Sequence, residues 1–388
     1  VKRDFDIVVA GAGPVGLAFA ASLAGTGLRI ALVDPQGEAS LAEPGDDGRE
    51  IALTDRSVGM LEAVGAWARI PGDAIAPLRR MAVLNGPSDY AMQFGGAEGI
   101  GRFAPNHWLR RSLWEVLQGK VAVLAERSVA SVGVVDGSAV ATLSDGQVLR
   151  TGLVVAADTR RSRLRAAQGI GAMLHDYRQR MVVCAMSHPL PHRETATAWF
   201  EYGRTLVTLP LNGGRSSAVM TLSEADAKRL VGLDDAAFGA EVTRRYRGRL
   251  GAMRPVGARH AVPVVTAYAR RFVGRRFALL GDAAVAMHPT TAHGFNFGLL
   301  GQDALARAVR GAIGAGLDVG DAGALEGYER VHRGETRLFF TAAETVMRLY
   351  AAGDSLPARV LRDAALRVGN LGPVRAALTA QMRDPERR

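Results

Sequence analysis

A glycine-rich turn between two apolar strands restricts this chain more than any other stretch. In Phe5–Pro35, FDIVVAGAGPVGLAFAASLAGTGLRIALVDP, a strand runs into Gly11-Ala12-Gly13-Pro14-Val15-Gly16, a helix follows, and a second strand, RIALVD, ends on Asp34. Gly11 allows the tight turn, Gly13 lets phosphates approach the backbone, and Gly16 lets the helix pack closely on the sheet. Asp34 stands where a carboxylate can accept both ribose hydroxyls. Strand, helix and acid are all in place, which favours a dinucleotide site over a tight βα turn without a ligand. Nothing in the motif separates FAD from NAD. The stretch is no membrane span, because Asp6, Gly11, Gly13, Pro14 and Gly16 interrupt it and a spanning helix needs roughly 20 continuous apolar residues. It also lacks the flanks of a signal peptide.

At 388 residues the chain can bury a full core, as one large or two intergrown domains. Its single cysteine, Cys184, excludes a disulfide within the chain and a Cys-rich metal site, so no metal ligands are assigned. Cys184 lies in the apolar run MVVCAM and reads as a buried structural thiol in a cytoplasmic protein. The net charge of +10 comes almost wholly from arginine, since lysine occurs only at Lys2, Lys120 and Lys228. Such a surplus favours acidic partners or anionic lipid. The arginines are scattered and no basic run is interleaved with aromatics, so no nucleic-acid groove is expected.

Residues 277–298, FALLGDAAVAMHPTTAHGFNFG, form a second strand–acid–helix unit. A short strand, Phe277–Leu280, delivers Gly281-Asp282 into a turn, a small-residue segment ends at His288-Pro289, and a helix is predicted to start near Asn296 after a turn at Gly294. A helix start favours partial negative charge, which suits a hydroxyl- or phosphate-bearing ligand. This segment resembles the second flavin-contacting motif of the class A flavoprotein monooxygenases, a G-D followed by a proline and a G-F-N turn. The resemblance implies that Gly281 and Asp282 hold the ribityl chain of FAD. It also implies that Pro289, Gly294, Phe295 and Asn296 lie against the isoalloxazine ring.

The resemblance extends to three further stretches. Asp47–Trp67 is similar to the family segment that carries an FAD-contacting arginine, here Arg49, whose alternative is a solvated loop charge. Asn106–Leu117 resembles the family's L-R-x-x-L helix, which puts Arg110 near the cofactor and leaves Arg111 as an outward charge. Leu153–Arg165, LVVAADTRRSRLR, matches the middle motif G-A-D-G-x-x-S-x-x-R through Asp158, Ser162 and Arg165, with Ala156 and Thr159 replacing both glycines. In the family that segment serves FAD and the reductant together, so the replacement bears on pyridine-nucleotide binding.

The expected fold is α/β: a discontinuous Rossmann-like FAD-binding domain of the p-hydroxybenzoate hydroxylase type (residues 1–72, 101–173 and 273–330), an intergrown antiparallel β-sheet substrate domain (73–100 and 174–272), and a helical C-terminal region (331–388). Residues 121–150 alternate apolar and polar with turns at Asp136-Gly137 and Asp145-Gly146, which predicts a β-meander. Within it the resemblance places the backbone of Val129 against adenine. Trp199, Phe200 and Tyr202 can line an aromatic pocket or serve sheet packing. The Arg-rich tail can lie on an anionic membrane, close the substrate domain or form a dimer face.

The run WFEYGRTLVTLPL and the loop His288–Gly301 resemble the ubiquinone-biosynthesis hydroxylases (UbiH, UbiF and UbiI types) within the class. Ala292-His293 replaces that group's Gly-Gln and Leu300-Gly301 its Arg-Asp, which points to a side branch such as the UbiM-like hydroxylases. The resemblance implies FAD, a transient electron donor such as NAD(P)H, and O2, with a hydroperoxide at the flavin delivering oxygen to the ring of a polyprenylated phenol or quinol. Other ubiquinone-biosynthesis proteins and the inner face of the cytoplasmic membrane are the partners it implies. His288, Pro289 and His293 are the catalytic candidates; imidazole titrates near neutral pH, and structural roles stand beside catalytic ones for both histidines. No residue marks itself as a phenol base. The rival readings are a hydroxylase of a small soluble aromatic, an oxygen-independent prenyl-lipid reductase, and a non-catalytic FAD-bound subunit.

Overall fold

Five parallel strands run side by side in the order Phe277–Leu279, Val148–Ala156, Phe5–Ala10, Ile30–Val33 and Ala122–Leu124. The computed structural model describes residues 2–86, 88, 90–201, 203–351 and 356–383. The strands are near-continuous apolar runs, as a sheet covered on both faces requires. Helix Pro14–Leu23 packs against Asn106–Leu117 and Gly294–Gly314, and the last of these against Ala322–Ala351. The meander Val129–Val135, Ser138–Leu143 and Val148–Ala156 turns at Asp136-Gly137 and near Asp145-Gly146. Its predicted first segment is different: Ala122–Leu124 leaves the meander and pairs in parallel with Ile30–Val33. Alternation marks an extended segment but not its partner.

A second sheet of nine strands is mostly antiparallel and spans Arg80–Asn85, Ala91–Gly95, Ala172–Ser187, Thr195–Glu201, Arg204–Leu211, Arg215–Ser223 and His260–Ala269. Two-residue strands Arg254–Pro255 and Val285–Ala286 complete it. One face buries Val182, Cys184, Trp199 and Met220 under Leu230, Phe238 and Val242 of helices Glu224–Val231 and Asp235–Arg245. The other face carries Val83, Ala198, Phe200 and Val207 and meets Met347 and Leu366 of the C-terminal helices. Successive residues of a strand point to opposite faces, which separates the predicted aromatic trio. Trp199 is core, its indole N–H donating to the Gly86 carbonyl at 2.7 Å, while Phe200 lies on the opposite face. Tyr202 falls outside the described residues. Cys184 is fully buried and its thiol is pushed up to about 11 by burial.

Helices Leu356–Gly369 and Gly372–Arg383 lie over strands Arg80–Asn85 and Ala91–Gly95. Asn370 donates to the Tyr90 hydroxyl at 2.7 Å and the Ala91 carbonyl at 3.0 Å, which covers a sheet edge that would otherwise be open. No helix among the described residues is long and apolar enough to cross a membrane.

The two predicted strand–acid–helix units are locked together by one side chain. Val15 sits between Gly281, whose φ is +57°, and Gly298, where an added Cβ would lie 2.5 Å from Val15 Cγ2. Gly298→Ala is therefore expected to cost about 1–3 kcal/mol of stability, as overpacking does, and Val15→Ala to relieve most of it. A urea-unfolding double-mutant cycle checks this; additive single effects would show that the two positions do not share the space.

Candidate active site

The carboxyl ends of the parallel strands bring the predicted cofactor residues to one edge. Gly11, Asp34, Asp158 and Gly281-Asp282 follow Ala10, Val33, Ala156 and Leu279 within three residues. Ligands of open α/β sheets bind beyond such ends. Gly11 has φ +113°, and a Cβ there would lie 2.4 Å from the Ala157 carbonyl oxygen, so the first and middle motifs touch through backbone. At Gly13, which caps helix Pro14–Leu23 without a side-chain bond, a Cβ would meet nothing within 4 Å. The first N–H groups of that helix have no partner within it, and open space lies before them.

Asp34 is buried and accepts the Ala12 N–H at 2.7 Å on one oxygen and the Gln36 N–H at 2.9 Å on the other. Each oxygen keeps a lone pair for a hydroxyl. Arg110 reaches the same corner and donates to Gln36 Oε1 at 3.0 Å, and Val129 is buried at the start of the meander. Arg49 does not project freely: its Nε and Nη2 grip Asp47 Oδ2 at 3.0 and 2.6 Å, and Asn106 Nδ2 donates to the same oxygen at 2.8 Å. Burial works against the Asp47 carboxylate, but Arg49 and Asn106 outweigh it and hold Asp47 below its ordinary range.

The middle motif acts as a clamp on the second unit. Ser162 Oγ accepts the Arg165 N–H at 3.0 Å, and the buried Arg165 guanidinium donates to the carbonyls of Ala283 at 2.8 Å and Arg160 at 3.0 Å. Arg160, which the sequence did not single out, pairs with Asp282 Oδ2 at 2.9 Å. Burial raises Asp158 above the usual carboxylate range, with Ser162 opposing, and its Oδ1 is buried with no hydrogen-bond partner. A buried acceptor left unpaired marks a place where a donor belongs.

The loop between Asp282 and the last of these helices turns on Ala292, whose φ is +54°. Glycine is the residue that adopts this left-handed conformation without strain, and here alanine holds it. Helix Gly294–Gly314 begins two residues earlier than predicted, with His293 in the capping position. Asn296 spends its whole amide on the protein. Its Nδ2 donates to the carbonyls of Ala52 at 2.8 Å and Ala292 at 3.1 Å, and its Oδ1 accepts from Ser57 Oγ at 2.6 Å and the Thr54 N–H at 3.2 Å. What residues 294–296 leave for a ligand is backbone N–H.

The two candidate histidines have separate surroundings. His293 is buried against Phe297 and Phe339, bonds the Thr291 carbonyl through Nδ1, and has a buried Nε2 with no partner. Burial lowers its pKa, with the Thr291 carbonyl opposing. His288, 4% exposed, accepts the Thr290 N–H at 3.3 Å and is pushed down to about 4 by burial and by His175. It is therefore neutral at physiological pH. Its ring meets Tyr177 edge-on at 4.7 Å, a neighbour that no motif announced. Above the loop, Ala292 and, from the second sheet, Met81, Phe94 and Leu209 all pack against one buried cluster that includes Leu78, Ile100 and Phe103, giving an apolar roof.

Gly13's open space, the unpaired Asp158 oxygen and the free lone pairs of Asp34 fit a dinucleotide with a polyhydroxyl chain, which is the shape of FAD. Roof, cofactor edge and intergrown sheets together define a flavoprotein monooxygenase of the p-hydroxybenzoate hydroxylase fold. The chain belongs to the FAD-binding-domain family, whose model matches residues 4–312. It is similar to the ubiquinone hydroxylase UbiM of Neisseria meningitidis, with 39% identity over 388 residues covering 97% of this chain and 84% of that protein. The ubiquinone hydroxylase UbiL of Rhodospirillum rubrum is 32% identical over 377 residues, covering 95% of this chain and 87% of UbiL. In fold, the p-nitrophenol 4-monooxygenase PnpA of Pseudomonas putida superposes with a TM-score of 0.78 at 19% identity, covering 98% of both chains.

Beside Arg49, Glu50 is half-buried, and its carboxyl is pushed up to about 7 by burial and by Asp46, with Arg215 opposing. An acid whose folded pKa lies above its unfolded value of 4.5 weakens the fold as pH rises from that value through about 7. Glu50→Gln is therefore expected to raise the melting temperature at pH 8 and to gain nothing at pH 4. Thermal melts at the two pH values check this; equal shifts would mean that Glu50 ionises normally.

Proposed function

We propose that this FAD-dependent monooxygenase hydroxylates the aromatic ring of a polyprenylated phenol or quinol in ubiquinone biosynthesis, taking the oxygen from O2. The observation that carries the reading is the near full-length similarity to two ubiquinone hydroxylases. The apolar roof over the 288–296 loop supports it, because a prenyl chain needs apolar walls. Bound FAD supplies the redox chemistry and the activation of dioxygen. The rest is the work of the chain's own residues. The backbone at Gly11, Gly13, Pro14, Val15 and Gly16 cradles the pyrophosphate, and Asp34 takes the ribose. Arg110 and Val129 border the adenosine, and Arg49, anchored by Asp47, approaches the cofactor from just before strand Glu50–Leu53. Asp282 gives its second oxygen to the ribityl chain while Arg160 holds the first, and Asp158 accepts a donor from the cofactor or its reductant. Pro289 and the N–H groups at Gly294, Phe295 and Asn296 face the ring. His293 packs the loop from behind, and the apolar roof excludes water while the ring is oxidised.

A strain lacking this gene is expected to accumulate a prenylated intermediate short of one hydroxyl, which mass spectrometry of its quinone lipids detects. An unchanged profile in a strain with no other ring hydroxylase would remove the ubiquinone reading.

A lipid substrate also implies contact with the membrane that holds it, and helix Ala322–Ala351 offers a face for that contact. Leu338 is 81% exposed there, with Val331 and Val346 exposed along the same side and Arg330 and Arg337 exposed beside them. Apolar residues flanked by arginine suit an anionic lipid surface. The full-length protein is expected to co-sediment with vesicles of mixed neutral and anionic phospholipid, and Leu338→Asp with Arg337→Glu to abolish this. Equal sedimentation of the double variant would place the contact elsewhere.

A further inference from the structure

The long strand Ala172–Ser187 does not run straight. Its pairing with His260–Ala269 jumps from Asp176–Val265 to Arg180–Pro263, so Tyr177, Arg178 and Gln179 bulge opposite one residue of the partner. Arg178 takes φ +54° to make the turn. Bulges re-aim side chains and collect beside active sites, and a non-glycine residue at positive φ persists only where its surroundings hold it. Here the bulge turns Tyr177 out over the cofactor loop. Its ring meets His288 edge-on at 4.7 Å and His175 at 4.4 Å. It packs against two apolar clusters of the second sheet, one around Val83 and Phe200, the other around Met181 and Val264.

The Tyr177 hydroxyl then donates to Glu344 Oε1 at 2.9 Å, across 167 residues of sequence. Glu344 is buried, and its other oxygen lies 3.4 Å from the exposed Arg348 guanidinium. A carboxylate has no packing reason to stand beside an apolar roof, since burying it costs free energy unless it is paired. Among the described residues, the titratable and charged groups that face the pair are His175 on Tyr177's own strand, His288 on the loop, and Arg348 on the C-terminal helix. Tyr177 itself resists ionisation, because burial and Glu344 both raise its pKa. It is therefore suited to pass a proton while remaining neutral.

We propose that Tyr177 and Glu344 are the acid–base pair that ionises the ring hydroxyl of the substrate. The phenol O–H bond breaks and its proton bonds to the Tyr177 oxygen, while the Tyr177 proton moves to Glu344 Oε1. The products are a phenolate that accepts a hydrogen bond from neutral Tyr177, and a protonated Glu344; no electrons change hands. A phenolate ring is the more electron-rich partner for an electrophilic oxygen, which is why the reaction gains from this step. The inference rests on the reading of the substrate as a prenylated phenol.

The test uses the full-length, FAD-loaded protein in its oxidised state with 2-prenyl-4-nitrophenol, whose phenolate band reports ionisation without turnover. The bound probe is expected to ionise at lower pH than the free probe. In Tyr177→Phe the ionised fraction at a pH about one unit below the free probe's pKa should fall at least about threefold, in line with the loss of one charge-assisted hydrogen bond. Glu344→Gln, which keeps the side-chain volume, should make ionisation follow bulk pH. General acid–base groups typically contribute on the order of 10²-fold or more, so kcat for hydroxylation should fall by that order in both variants. If the probe binds and ionises alike in wild type, Tyr177→Phe and Glu344→Gln, the pair is not the base, and the substrate reading stands. If the probe does not bind the wild type, the substrate reading falls and the pair with it.

Discussion

Everything at the cofactor edge depends on how closely two βα units can approach, and that distance is set by Val15 against two glycines. Its side chain fills the gap that Gly281 and Gly298 leave, so helix Pro14–Leu23 and helix Gly294–Gly314 start almost side by side. A larger residue at either glycine would separate the helix starts. Each start presents backbone N–H groups and partial positive charge, and placing two of them together makes a strip that a long, anionic, hydroxyl-rich cofactor can span. Val15 lies inside the glycine motif. The motif rule assigns that region to phosphate, yet its one bulky side chain serves the packing that keeps the phosphate end and the ring end in register.

The polar groups around that strip are spent with equal economy. Asn296 fixes the ring-side loop to residues 52–57 through three hydrogen bonds and closes the loop on itself through a fourth to the Ala292 carbonyl, and Arg165 fixes the acid turn through the Ala283 carbonyl. Buried amide and guanidinium groups are costly unless fully paired, so these contacts fix the orientation of a segment whose Ala283, Ala284, Val285 and Met287 are already in the core. Ala292 is the exception. It keeps a left-handed backbone where the resembling hydroxylases carry glycine, and its methyl group joins Met81, Phe94 and Leu209 in the roof. The strain of that conformation is of order 1 kcal/mol, comparable with the gain from burying a methyl group. The substitution therefore exchanges backbone ease for contact with the roof.

The parallel strands and their terminal Gly11, Asp34, Asp158 and Asp282 were legible because each is a local event, an apolar run that ends in a turn residue. What lay beyond reach was pairing over distance. Ala122–Leu124 sits in the same alternating run as the meander, and only the sheet decides that it joins Ile30–Val33 instead. Trp199 and Phe200 were bound to point opposite ways, but which face meets helices Glu224–Val231 and Asp235–Arg245 is settled by those helices. The motif around Asn296 marks it as a ligand contact. Its partners Ala52, Thr54 and Ser57 lie about 240 residues earlier, where no local pattern could reveal that its amide was already committed.

The same limit explains why no base stood out among the residues of the motifs. A proton acceptor for a phenol in an apolar pocket must be buried, and a buried carboxylate survives only beside a partner that shares its charge. Such a partner is supplied by tertiary structure. Glu344 comes from the C-terminal helix, Tyr177 from a bulge whose register is imposed by strand His260–Ala269, and His288 from the cofactor loop. Each looks ordinary in its own segment: a helical glutamate, a strand tyrosine, a histidine before proline. Their chemistry exists only where three elements meet, so the cofactor site of this chain is written mainly in local motifs and its acid–base pair in the packing between them.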